Sequence, residues 1–141
     1  MIKGLNHVCF SVSDLEKSCR FWSEMMGAKL LVRGKSTAYF DLAGMWIALN
    51  METEIPRKEI EFSYTHLAFS VSEEELDVFK DRFKNNGVNL LPGRERDPRD
   101  ARSVYFTDPD GHKLELHTGT LQDRLDYYRN AKPHMLFTED L

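Results

Sequence analysis

The chain has 141 residues, 41% hydrophobic and 30% charged, with a formal net charge of −4. That composition can bury a core and stay in solution, and an acidic balance without a basic block argues against a nucleic-acid partner. No apolar run reaches the length of a membrane span, and Met1-Ile2-Lys3-Gly4 leads straight into a strand pattern; neither a signal peptide nor an anchor nor a membrane partner is expected. Two cysteines, Cys9 and Cys19, form no disulfide framework, so a reduced, cytoplasmic chain is expected.

In chain order, residues 5–12 alternate. Leu5, His7, Cys9 and Ser11 share one face, and Asn6, Val8, Phe10 and Val12 the other. Ser13 with Glu16 three residues on reads as a capping box, and Leu15, Cys19, Trp22 and Met25/Met26 follow at helical spacing. Gly27 stops this helix. Leu30-Leu31-Val32, a turn near Gly34-Lys35, Thr37–Leu42, a turn at Ala43-Gly44 and Trp46–Asn50 then predict three strands. A polar linker with Pro56 covers about residues 51–61.

The pattern then starts again. Tyr64, His66, Ala68 and Ser70 alternate with Thr65, Leu67, Phe69 and Val71. Ser72 with Glu75 predicts a second capping box, followed by Leu76, Phe79 and Phe83, with a stop at Asn86-Gly87. Val88–Leu91 reads as a strand, and Ser103–Gly119 as a hairpin turning at Asp108-Pro109-Asp110-Gly111. Thr120 is a candidate N-cap for a last helix to Ala131, which Pro133 ends.

Laid side by side, His7–Ser13 matches His66–Ser72, Gly27 matches Gly87, Leu30-Leu31 matches Leu90-Leu91, and Tyr39-Phe40 matches Tyr105-Phe106. Gly44 matches Gly111, and Leu49 matches Leu116. Such a repeat predicts an α+β fold of two tandem β-α-β-β-β units. The expected division is one domain over 1–141: unit one at about 1–50, the linker, unit two at about 62–119, then a helix and tail. The helices take the apolar sheet faces. The polar faces, which carry His7, His66 and Glu115, are left to line a cup.

His7 and His66 fill the same slot in the two units, and Glu115 stands where unit one has Ala48. Two imidazoles and a carboxylate suit a divalent metal with positions left open for substrate. On sequence alone the alternative stays open that both histidines are satisfied core residues and that Glu115 pairs with an arginine. His112 falls in the turn and His134 in the tail; His117 shares the face of Glu115 and could support it.

These features resemble the vicinal oxygen chelate superfamily and, within it, the fosfomycin-resistance thiol transferases. The likeness runs from about Leu5 to Met135. It rests on the paired units, on Tyr105-Phe106-Thr107-Asp108-Pro109-Asp110-Gly111-His112 and Leu114-Glu115-Leu116-His117, on Tyr39–Leu49, on Ser63-Tyr64-Thr65-His66 and on Arg124. The resemblance implies a homodimer in which His7 of one subunit joins His66 and Glu115 of the other around manganese or magnesium. It implies chelation of fosfomycin and attack of a thiol on the epoxide. Glu115, Tyr64 and Tyr105 would be catalytic. Arg124, Arg94 and Ser103 would hold the phosphonate, Tyr39 and Trp46 would wall the cavity, and Cys9 would sit near substrate or act only as a small buried hydrophobe.

A water-using branch is expected to carry a glutamate where this chain has Gly44, and a glutathione-using branch a potassium-binding loop where this chain has Arg94–Arg102. Bacillithiol or L-cysteine therefore remains as co-substrate. The rival readings are an epoxide hydrolase, a metal-free drug-sequestering protein and a ring-cleaving dioxygenase of the same fold.

Overall fold

The computed structural model describes residues 1–58, 60–93 and 101–140. Strand β1 (His7–Val12) buries Phe10 and Val12 and leaves His7 and Cys9 exposed, as period-two alternation requires. Helix α1 (Leu15–Arg20) follows and runs into one wider π-type turn at Phe21–Met25, which carries the buried Phe21 and Trp22. Its N-cap is Asp14 and not the expected Ser13: the Asp14 carboxylate accepts from the Lys17 N–H at 3.0 Å. The Ser13 N–H is taken elsewhere, by the Asp110 carboxylate at 3.0 Å. Asp14→Ala is therefore expected to cost about 1 kcal/mol of stability, and the Ser13→Ala hydroxyl deletion much less. Urea unfolding of the two variants checks this ranking.

Strands β2 (Lys29–Arg33), β3 (Thr37–Leu42) and β4 (Met45–Met51) complete the first sheet, in the order β1-β4-β3-β2. The β3–β4 turn has positive φ at both Ala43 (51°) and Gly44 (85°), and Asp41 accepts from the Gly44 N–H at 2.7 Å. Strand β5 (Leu67–Ser70), helix α2 (Glu73–Asn85), β6 (Leu90–Leu91), β7 (Ser103–Thr107) and β8 (Lys113–His117) build the second sheet, in the order β5-β8-β7-β6. Ser72 caps α2, accepting from the Glu75 N–H at 3.1 Å. The expected strand at Val88–Leu91 shrinks to two residues because the Val88 N–H closes the end of α2 on the Phe83 carbonyl at 3.0 Å.

The two sheets repeat one another in register. β1 and β5 each lie parallel to the last strand of their sheet, pairing Cys9 with Ala48 and Ala68 with Glu115. Across the antiparallel ladders, Tyr39 faces Ala48 and Tyr105 faces Glu115. The slot shared by Ala48 and Glu115 is thus a property of both ladders.

The apolar faces meet in one core. The Trp22 and Phe69 rings lie 6.3 Å apart, Phe21 and Phe106 6.4 Å, and Phe83 and Phe106 4.5 Å. The hairpin turn joins the units. Asp108 accepts from the N–H groups of Asp110 and His112, as a turn residue should. Asp110, expected to play the same part, instead reaches Ser13 and pairs with Arg57 of the linker at 3.8 Å, and Arg57 donates to the Ser11 carbonyl at 2.7 Å.

Helix α3 (Leu121–Ala131) opens on a reciprocal Thr120–Asp123 capping box and buries none of its residues. The backbone N–H of Thr120 donates to the Asp123 carboxylate and holds its pKa below the ordinary value. No helix among the described residues is long and apolar enough to cross a membrane.

Candidate metal and substrate site

Glu115 sits in the middle of β8, between Tyr105 of β7 and the small Ala68 of β5, and is only 6% exposed. A carboxylate so buried has to be matched on every side. On one side stands His66, just before β5, with Nε2 3.0 Å from Glu115 Oε1. The other nitrogen, His66 Nδ1, lies 2.7 Å from the Tyr64 carbonyl oxygen. A carbonyl can only accept, so Nδ1 carries a proton, and in the neutral ring Nε2 turns its lone pair toward the carboxylate. Two acceptors that close need a positive charge between them, either a proton or a cation. The outward-facing lone pair with a fixed Nδ1–H is the arrangement of a metal-binding imidazole.

On the other side, the Ser103 hydroxyl donates to Glu115 Oε2 and lies 2.6 Å from His117 Nδ1. Tyr64 and Tyr105 join hydroxyls at 3.1 Å, and the His66 ring packs between them at 4.8 and 5.7 Å. A cleft of about 440 Å³ opens here, lined by Glu61, Tyr64, His66, Leu91, Tyr105 and Lys113 among others. Sequence reasoning missed Lys113. Its ammonium donates to the Glu61 carbonyl at 2.7 Å and to the Ser63 carbonyl, tying down the segment that presents Tyr64 and His66. The signal was available, since Lys113, Glu115 and His117 alternate onto one face.

The matching face of the first sheet holds one imidazole and an aromatic wall. His7 Nδ1 is bonded to Asn6 Oδ1 at 2.7 Å, the same second-partner arrangement as in His66, and its ring stacks on Trp46 at 4.4 Å. Tyr39 meets Trp46 edge-on at 5.1 Å. Cys9 is exposed on this face beside Ala48, whereas Cys19 is buried and desolvation pushes its thiol pKa up.

His66 and Glu115 are brought together, and Ser103, Tyr64 and Tyr105 join them; His7, Cys9, Tyr39 and Trp46 gather on the other sheet. Among the described residues of the single chain, no three His, Cys, Asp or Glu side chains stand close enough to hold one ion. Arg124 lies on α3 with its guanidinium 5.7 Å from the Tyr128 ring. Arg94 falls outside the described residues.

Comparison with known proteins follows the same outline. The model of the Glyoxalase/Bleomycin resistance protein/Dioxygenase superfamily matches residues 4–116. The chain is 60% identical over 136 residues to the metallothiol transferase FosB of Lysinibacillus sphaericus, covering 96% of each. It is 58% identical to the metallothiol transferase FosB of Staphylococcus saprophyticus, over 99% of this chain and 92% of that one. The genomically encoded fosfomycin resistance protein FosX from Listeria monocytogenes matches the structure with a TM-score of 0.81 at 36% identity, covering 91% of this chain and 100% of that one. A mutant of that protein, complexed with Mn(II) and 1S,2S-dihydroxypropylphosphonic acid, gives a TM-score of 0.79 at 36% identity over 91% and 99% of the two chains.

Proposed function

The chain belongs to the glyoxalase/bleomycin resistance protein/dioxygenase superfamily and, within it, to the family of the metallothiol transferases FosB; from that premise we propose that it is a thiol transferase that adds bacillithiol or L-cysteine to the epoxide of fosfomycin. The single observation that carries the reading is the facing pair of His66 Nε2, just before β5, and Glu115 Oε1, on the rigid strand β8, 3.0 Å apart at the edge of a cleft. The pair suits a divalent cation, and its nitrogen and oxygen donors favour manganese or magnesium over a thiophilic metal.

His66 and Glu115 would hold the cation, with His7 of the partner subunit completing the set in a homodimer. What supports this division is that His7, its Nδ1 held by Asn6, stands on the exposed face of the other sheet with no hydrogen-bond partner at Nε2 among the described residues. The bound cation would supply Lewis-acid stabilisation for the negative charge that develops on the epoxide oxygen. The residues of the chain do the rest. The thiol loses its proton and its sulfur forms a bond to an epoxide carbon. The carbon–oxygen bond breaks and the oxygen takes up a proton, so the adduct gains one thiol in total.

Tyr105, buried beside Glu115 and hydrogen-bonded to Tyr64, can donate toward the substrate from the cleft wall. Tyr39 and Trp46 offer apolar walls to the carbon skeleton, with Cys9 beside them, and Arg124 and Arg94 are the candidates for the phosphonate. The β3–β4 turn presents Gly44, which has no side chain to activate a water, and this favours a thiol as nucleophile. The whole chain, 1–141, acts as one domain in this reading, and its free thiols fit the cytoplasm.

Incubating the protein with Mn(II), fosfomycin and bacillithiol, then with L-cysteine in its place, is expected to yield the thiol adduct by mass spectrometry. A diol as the only product would move the chain to epoxide hydration, and tight fosfomycin binding with neither product would make it a sequestering protein.

A further inference from the structure

We propose that His117 is a positioning residue that acts through Ser103 to hold Glu115 with Oε1 toward His66. The proposal rests on the reading of Glu115 as a metal ligand. Ser103 has one hydroxyl proton and gives it to Glu115 Oε2. Toward His117 Nδ1, at 2.6 Å, Ser103 Oγ is then the acceptor, and Nδ1 must be the donor. His117 Nδ1 is 3.4 Å from Glu115 Oε2 itself, so its direct hold is weak and the shorter path runs through the serine. The ladder makes this path rigid: Ser103 pairs with His117 and Tyr105 with Glu115 on neighbouring rungs of β7 and β8.

A second observation points to the same ring. A Cβ at Gly119 would sit 2.9 Å from His117 Nε2 and 2.8 Å from the Ala101 Cβ. Gly119 does not need its glycine for a left-handed backbone, because its φ lies outside that region. What it provides is room for the imidazole and for the Ala101 methyl packed beside it.

The first unit acts as an internal control. Thr37 and Asn50 occupy the rung that matches Ser103 and His117, two residues from Tyr39 and Ala48. Their side chains are 3.5 Å apart, at the limit of a hydrogen bond. Where the central slot holds Ala48 there is no carboxylate to orient, and the pair is loose. Where it holds Glu115 the pair is tight.

Direct Mn(II) titration, read by the electron paramagnetic resonance of free ion, tests this without substrate. His117→Ala is expected to weaken Mn(II) binding about 10- to 100-fold. His117→Asn, whose amide can donate from near the Nδ1 position, is expected to recover most of the loss. His117→Leu, which keeps most of the ring's bulk and removes the donor, is expected to weaken binding as His117→Ala does, and it carries the test if His117→Ala does not fold. In a Ser103→Ala background, His117→Ala is expected to cost little more, because the path is already cut. Wild-type affinity in folded His117→Ala or His117→Leu, with binding lost in Glu115→Ala, overturns the proposal alone. Wild-type affinity in Glu115→Ala overturns the ligand reading and this proposal together.

Discussion

Glu115→Gln is expected to fold like the wild type and to lose thiol transfer by on the order of a thousand-fold, about 4 kcal/mol of transition-state stabilisation. The amide has the shape of the carboxylate. Its oxygen can still accept from Ser103, and its NH₂ can donate to the lone pair that His66 Nε2 turns toward this position. No buried polar atom is left without a partner, so the stability cost is small. What disappears is the negative charge that attracts a cation into a buried slot. Thermal unfolding followed by circular dichroism, Mn(II) titration and adduct formation separate the two effects. A variant that melts early would report a structural role for Glu115, and one that binds Mn(II) as tightly as the wild type would remove Glu115 from the ligand set.

The second large effect concerns His7. If each site takes His7 from one subunit and His66 with Glu115 from the other, then His7→Ala and Glu115→Gln homodimers both have two dead sites. In a mixed dimer the two lesions fall into one site and leave the other whole. Random mixing makes half the dimers mixed, each with one good site of two, so about a quarter of wild-type activity returns from two inactive preparations. Co-refolding the variants and measuring adduct per milligram checks this. Activity that stays at the level of the parents would place His7 in the same site as the Glu115 of its own chain, or outside the site altogether. The geometry that motivates the experiment is the separation of the donors: His7 stacks on Trp46 on one sheet, and His66 faces Glu115 on the other.

Much of the fold could be read from local pattern. Alternation over two residues decides which side chains share a sheet face, whatever lies beyond the strand. The match of His7–Ser13 to His66–Ser72 needs no knowledge of packing. Strand ends were less legible. Val88 was expected in a strand, but its N–H closes a helix, and that competition is settled by the turn at Gly87, with φ 69°, rather than by propensity. The cap of α1 shifted by one residue for a similar reason: Asp14 and Ser13 are both good caps in isolation, and Asp110, 97 residues along the chain, engages the Ser13 N–H.

The sequence by itself determined the two repeated units and the slot of Glu115, because which face a strand residue takes follows from short-range alternation, here repeated twice; the strand order and the parallel pairing of β1 with β4 and β5 with β8 came from the tertiary structure. Only the tertiary structure decided what surrounds that slot. Ser103, read from sequence as a phosphonate ligand, has its hydroxyl turned to Glu115 and its oxygen against His117. Lys113 ties down the segment before His66, and Asp110 joins the two units instead of serving the turn. These depend on rotamers and on contacts between residues distant in the chain, where a single hydroxyl proton or one missing Cβ selects the partner, and no periodicity in the sequence encodes such a choice.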